Sequence, residues 1–444
     1  MGQHISIELQ ELRYKLDEAS IESSTVFTGQ QDLTHELAGA SIEPSSAGFK
    51  IRRVPEHLRT ENVKAYEPQI IAIGPLTCHL LDNKTHFGEM QKLKVLYLKR
   101  LLQRKGADFK DLQEFLCTRR WVVEKAYLLY AQPILMSQDK FVEMLVLDAF
   151  FIVELFHKFR LEQWDNDNNV FKTSWVRKKL RRDLLLAENQ LPFFVLREYF
   201  VYTAMPEDQK TSFYDLLEDQ KTSFYDLVRG FFCNILHVSL WEVPIESPTW
   251  HLLGFIHNSV PRNISPARKD NWNFIVCATN LKEAGIKFEK IEGGSLLSIE
   301  FDKDAGILKI PRLTIDDDTE SFFRNISVYE QFFPIDAYAP FINYVKFMDS
   351  LINTAKDVEL LCENKILHNF LGDDEVVANM FNRLGDSTFY DVNDYCDRLW
   401  NRWIANLRHD YFNTPWAIIS VFAALFLLIL TLTQTLFSVL PYFQ

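Results

Sequence analysis

The chain has 444 residues, 47% hydrophobic and 24% charged, enough apolar material for a sizeable core and too much for a disordered tail. Fifteen glycines against 36 phenylalanines leave little room for phosphate-cradling loops, and no G-x-G-x-x-G, G-x-x-x-x-G-K or G-x-S-x-G motif occurs. A formal charge of -12 argues against a general nucleic-acid binder, because nothing neutralises phosphate across the surface.

The first residues, Met1-Gly2-Gln3-His4-Ile5-Ser6, fit the pattern for myristoylation of Gly2, though no basic cluster follows to supply a second membrane signal. Ile5, Leu9, Leu12 and Leu16 fall on one helical face, and Glu18 to Gly48 is rich in small, polar and acidic residues. Residues 1–48 hold eight acidic and two basic residues, a net of -6. They are expected to form a flexible acidic arm that carries half of the protein's net charge.

From Gly88 to about Phe159 the apolar period is helical: Met90, Leu93, Tyr97 and Leu101 make one stripe and Phe109, Leu112, Phe115 and Leu116 the next. A third helix opens after Ser137 and runs through Phe141, Leu145, Phe151 and Leu155. Arg177, Lys178, Lys179, Arg181 and Arg182 form a basic cluster, expected to be a solvated helix face. The segment Glu207 to Leu216, EDQKTSFYDL, recurs letter for letter at Glu218 to Leu227. Its period of 11 is close to three helical turns, so an inserted copy lengthens a helix without rotating its apolar face, and a tolerated surface insertion is expected.

After Trp250 the texture changes. Leu296 to Phe301 and Ile307 to Ile310 flank a turn-forming DKDAG and predict a short hairpin. Ile315 to Glu320 caps a helix starting near Ser321, and helices resume over Tyr344 to Leu361 and Glu375 to Leu384. Trp416 to Leu440 is 25 residues without a charge, long enough to cross a bilayer of roughly 30 Å, with Trp416 and Tyr442 as interface anchors. Arg398, Arg402 and Arg408 before it predict a single-pass C-terminal anchor with the main domain cytosolic, at the plasma membrane or endoplasmic reticulum. The lipid bilayer is therefore one expected partner. Thr431, Thr433, Gln434 and Thr435 leave homo-oligomerisation through that span open.

Candidate chemistry is sparse. Asp165 to Asn169 begins like a calcium loop, but Val170 and Val176 stand where a glycine and a bidentate glutamate are needed. Cys78, His79 and His86 match no metal-site spacing, and the six cysteines show no C-x-x-C, so no metal or cofactor is nominated and reduced, mostly buried thiols are expected. Glu188-Asn189-Gln190 and Glu330-Gln331 lie in apolar stretches, which predicts burial in a hydrogen-bonded structural network or, alternatively, in an acidic catalytic site. No nucleophile, base and orienting group assemble by spacing.

A series of short motifs in order resembles the plant DUF247 family, also called UPF0481. Its opening signature is matched by Ile51-Arg52-Arg53-Val54-Pro55, Ala65-Tyr66-Glu67-Pro68 and Ile73-Gly74-Pro75. Asp183-Leu184-Leu185-Leu186 with Glu188-Asn189-Gln190-Leu191-Pro192, then Ile310-Pro311, Asn325, Glu330-Gln331 and Pro415-Trp416-Ala417 continue it. After Gly74-Pro75 the family commonly has Tyr-His-His, where this chain has Leu76-Thr77-Cys78-His79. The resemblance implies no established catalytic residues, and for some grass members a role in self-incompatibility.

The expected fold class is mainly α: a large helical domain over 49–410 with a short β-hairpin element, and one C-terminal transmembrane helix over 416–440. The expected function is protein–protein recognition or signalling, with an unidentified protein partner and without nucleic acid, in a pollen-recognition setting. A membrane-bound enzyme with a buried acidic site is the alternative.

Overall fold

A computed structural model describes residues 50–81, 85–161, 169–204, 224–233, 250–260, 277–293, 295–302, 305–333 and 339–386. The acidic arm with Gly2, the Asp165–Asp167 loop, the first copy of the 11-residue repeat and the 416–440 segment lie outside the described residues. The chain divides into two units, Met1–Thr279 with Lys287–Thr388 and Asn280–Ile286 with Phe389–Gln444. Of the second, the described part is the end of one short helix and the turn after it.

In chain order the helices are α1 (Glu56–Arg59), α2 (Thr85–Lys105), α3 (Phe109–Thr118), α4 (Arg120–Leu128), α5 (Gln138–Leu161), α6 (Ser174–Asp183), α7 (Phe193–Ala204), α8 (224–232), α9 (Leu252–Ser259) and α10 (Ala278–Glu283). Strands β1 (Lys287–Ile291), β2 (Glu300–Asp302), β3 (Ile307–Pro311) and β4 (Leu313–Ile315) follow. Then come α11 (Thr319–Gln331), α12 (Pro340–Leu351), α13 (Ala355–Glu363), β5 (Leu367–Asn369) and α14 (Asp374–Asp386).

The centre of the main unit is α5. Every residue from 143 to 156 is buried, so the middle of this helix has no solvent face and packs between α2 and α7. Phe150 meets Tyr199 edge-on at 4.7 Å, and Phe156 meets Phe231 of α8 at 4.8 Å. Sharp helix starts come from side chains that bond the first free amides. Asp108 accepts from the N–H groups of Lys110 and Asp111 and opens α3, between the two stripes that the sequence predicts.

The mainly helical expectation is met, and the expected hairpin appears as β2 antiparallel to β3, with Glu300 opposite Lys309. Its first strand starts at Glu300 rather than Leu296, because Ser295 draws the backbone N–H groups of Leu297 and Ser298 into a turn. The other edge of β3 carries β1 in parallel, and β4 and β5 form a separate parallel pair. The predicted helix over Tyr344 to Leu361 is two helices. Asp357 breaks it by accepting from the backbone N–H groups of Asn353 and Thr354 and from the Thr354 hydroxyl.

Four expectations are corrected. Among the described residues no helix is long and apolar enough to cross a membrane. The long helices α2 and α5 reach the length but carry charges such as Lys94, Lys99, Asp148 and Glu154 along it. The expected C-terminal transmembrane helix and the single-pass localisation therefore find no support. The basic cluster is not a solvated face: Lys178 and Lys179 pair with Asp316 and Asp318, and Arg182 is buried. The second repeat copy is not wholly a surface insertion, since Phe224 is fully buried against Phe193 and Phe200. Finally, Cys117 and Cys233 are exposed, and none of the five described thiols is buried.

Two outcomes follow from this packing. Phe150→Ala should lower unfolding free energy by about 3–5 kcal/mol in denaturant titration, since the surrounding rings cannot close over the void. Burial pushes Asp357 up, but the N–H and hydroxyl of Thr279 and of Thr354 outweigh it and hold the carboxyl below its ordinary 3.8. A lowered carboxylate stabilises the fold above its unfolded-state pKa. Melting temperature should therefore hold as pH falls to about 4 and drop below it, and Asp357→Asn should blunt that drop.

Candidate functional site

Residues 67–77 join no helix or sheet and pass from the exposed Glu67 and Gln69 into the interior at 71–77, so their main-chain groups need other partners. The partners come from the end of α6 and the turns after it. Leu184 to Asn189 curl through successive short backbone bonds, which brings Asp183, Asn189 and Gln190 onto one side. Asp183 Oδ2 accepts from the N–H groups of Gln69, Ile70 and Ile71 at 2.9, 2.6 and 3.0 Å. Asn189 accepts from Ile73 N–H at 2.6 Å and donates to the carbonyls of Ile71 and Asp183. Gln190 donates to the carbonyls of Leu184 and Leu186 and accepts from Leu253 N–H.

The charges in this seam are balanced internally. Arg182 pairs with Asp183 at 2.8 Å and donates to the carbonyls of Lys64 and Glu67. Asp148 of α5 accepts from Gly74 N–H at 2.8 Å, while Lys94 of α2 bridges Asp148 at 2.5 Å and the Ala72 carbonyl at 2.7 Å. Burial pushes the Asp183 carboxyl above its ordinary value, with the N–H of Ile70, then Arg182, pulling back. Glu188 accepts from Val54 N–H at 2.6 Å and pairs with Arg59 at 2.5 Å.

A second node lies at α9, α11 and α12. Glu330 accepts from Phe341 and Ile342 N–H at 3.0 and 2.8 Å, capping α12, and from His257 Nε2 at 2.8 Å. His251 accepts from Gly254 N–H and so starts α9. Burial, with His257 nearby, drops it to about 3, so it is a neutral cap. Asn325 accepts from Ala187 N–H and donates to the carbonyls of Ala65 and Ser321. Fully buried, it has no room for a glycan at the Asn325-Ile326-Ser327 sequon.

The structure thus brings together Tyr66, Pro68, Gly74, Pro75, Asp183, Glu188, Asn189, Gln190 and Pro192 of the candidate residues. Pro68, Pro75 and Pro192 are buried, and Tyr66 packs in a small apolar cluster with Val54, Leu58 and Val328. Gly74 has φ +77, and a Cβ there would lie 2.6 Å from the Gln190 carbonyl oxygen, which also receives the Tyr130 hydroxyl. Pro55 supplies the carbonyl that starts α1, and Arg53 is exposed with its N–H on Gln132. Glu330 belongs to the second node, and Gln331 ends α11 half-buried. Sequence reasoning did not single out Asp148, Lys94 or His257 as site residues. A lone charge inside VLDAFFIV or LKVLYL was the available signal, because such a charge needs a partner.

What this arrangement does chemically is bind main chain. Its acceptors and donors are taken up by amides, carbonyls and each other, the His257–Glu330 pair included. Cys78 Sγ lies 3.0 Å from the Pro75 carbonyl and His79 Nδ1 3.2 Å from that of Leu76, and no group of three or more metal-ligating side chains occurs among the described residues. Asp183→Asn turns an acceptor of three N–H groups into a partial donor facing them. It should cost about 3–5 kcal/mol of stability, read as a fall in melting temperature. Gly74→Ala should cost at least about 2 kcal/mol, from the left-handed backbone and the Gln190 contact.

Comparison with known proteins matches this frame. Residues 51–430 fit the family model DUF247, described as a plant protein of unknown function. A UPF0481 protein of Arabidopsis thaliana is 29% identical, with 91% of each chain covered. A putative UPF0481 protein of the same plant is 22% identical, with 94% of each covered. No solved structure matches the chain. With the matched region running from the first buried bridge at Ile51 through both polar nodes, the chain belongs to the DUF247 family.

Proposed function

We propose that this protein acts by recognising another protein, and that its motif residues serve by holding the recognition surface in one shape. The observation behind this is the use of the motif side chains: Asp183, Glu188, Asn189, Gln190 and Glu330 are each bonded to the protein's own main chain. A set of polar groups consumed in this way rigidifies a fold, as a platform for binding requires. Pollen recognition of the self-incompatibility type is the setting we attach to this proposal, and allele-specific partners are its signature.

The competing view makes Glu188 or Glu330 an acidic catalyst. The two are separated with purified full-length protein. On the recognition reading Glu188→Gln and Glu330→Gln lower the melting temperature by several degrees, and binding to a partner captured from native tissue and reconstituted from pure components declines only as the fold does. Loss of a chemical turnover by either variant, with melting temperature unchanged, would replace recognition with catalysis. Exchanging variable segments between two alleles should change which partner is retained; unaltered pairing would count against the pollen setting.

A further inference from the structure

A groove of about 510 Å³ lies between the end of α6 with the residues after it, the 314–319 turn and the first turns of α11. Its volume falls in the roughly 300–1,000 Å³ range of sites that enclose a ligand. The floor is apolar, with Leu185 and Leu186 buried and Phe322 half-buried. At the rim Phe370 is 63% exposed, its ring 4.3 Å from that of His368, which Arg312 holds through a 2.9 Å contact. Phe370 thus adds an exposed aromatic face at the edge of an apolar hollow.

The charges on the walls say what kind of partner. The cations are engaged. Lys178 sits 2.9 Å from Asp316, and Lys179 2.6 Å from Asp318. Arg182 holds Asp183 and two carbonyls. Arg181 donates to the Phe231 carbonyl and lies over the rings of Phe159 and Phe231. The acids are not all engaged: Asp318 is held by Lys178, Lys179 and Arg182, but Asp317 is exposed and makes no ion pair among the described residues. The groove therefore offers an open carboxylate, a hydrophobic floor and an aromatic ring face together.

We propose that this groove docks a segment of a partner protein that presents an arginine beside an aromatic or aliphatic side chain. The apolar residue fills the hollow over Leu185, Leu186 and Phe322. The guanidinium lies against the Phe370 ring and pairs with Asp317, a combination in which planar charge, stacking and a carboxylate reinforce one another. Arginine and aromatic residues are also the side chains that most often dominate protein interfaces. The inference deepens the recognition reading and rests on it.

The test pans a random heptapeptide display library against the purified full chain. The groove assignment expects recovered peptides enriched in arginine next to Phe, Tyr, Trp or Leu, with affinity falling at least tenfold for Asp317→Lys and for Phe370→Ser. Both positions are exposed, so the melting temperature of each variant should match the parent. Absence of enrichment, enrichment of acidic peptides, or affinity untouched by both substitutions would overturn the assignment. Partner binding is then measured with the same variants: a native partner retained at full affinity by both overturns the groove and leaves recognition standing. Peptides bound in the groove with no partner protein retained would do the reverse.

Discussion

The fold depends on satisfying a stretch of buried backbone that belongs to no ladder. Residues 71–77 run through the interior, and one carboxylate oxygen of Asp183 meets the three consecutive amides of Gln69, Ile70 and Ile71 where the segment enters it. An unpaired buried amide costs roughly 1–3 kcal/mol, so leaving the buried amides of Ile71, Ile73 and Gly74 without Asp183, Asn189 and Asp148 would consume much of the stability of an ordinary domain. Asp183, Asn189 and Gln190 cannot be exchanged for apolar residues of similar size without reopening that deficit. These three side chains are, in physical terms, substitutes for missing secondary structure.

The same logic extends to charge. Lys94 and Asp148 are both almost wholly buried, on α2 and α5, and each also bonds the crossing segment at Ala72 or Gly74. A buried ion pair alone is weak support for a fold, since desolvation offsets attraction. This one is attached to main chain at both members, so its loss would leave an uncompensated charge and two broken backbone contacts together. The helical layers and the crossing segment are therefore a single cooperative object rather than a bundle with a decorated surface.

Much of the helical frame was legible in the sequence because stripes such as Met90, Leu93, Tyr97 and Leu101 declare one buried face. Burial of Glu188, Asn189, Gln190 and Glu330 was legible too, from polar residues set among apolar ones. What was not legible was pairing at a distance: Asp183 to Ile70 spans 113 positions and Glu330 to His257 spans 73, and no local period encodes either. The basic cluster misled for the same reason. Its charges read as a solvated face until the acidic 316–318 turn is brought against them. The split after Leu351 was missed because Asp357 acts as a cap through its side chain, while the apolar pattern continues across the break.

The tie between Asn325 and the Ala65 carbonyl crosses 260 positions of sequence. During synthesis at roughly 5–20 residues per second, the early segment must wait about 13–50 s before that partner exists. Through that interval Tyr66, Val54 and Leu58, which later share a cluster with Val328, lack the part of their cover that α11 supplies. The time for which this apolar surface stays incompletely covered is thus set by the speed of translation between these positions.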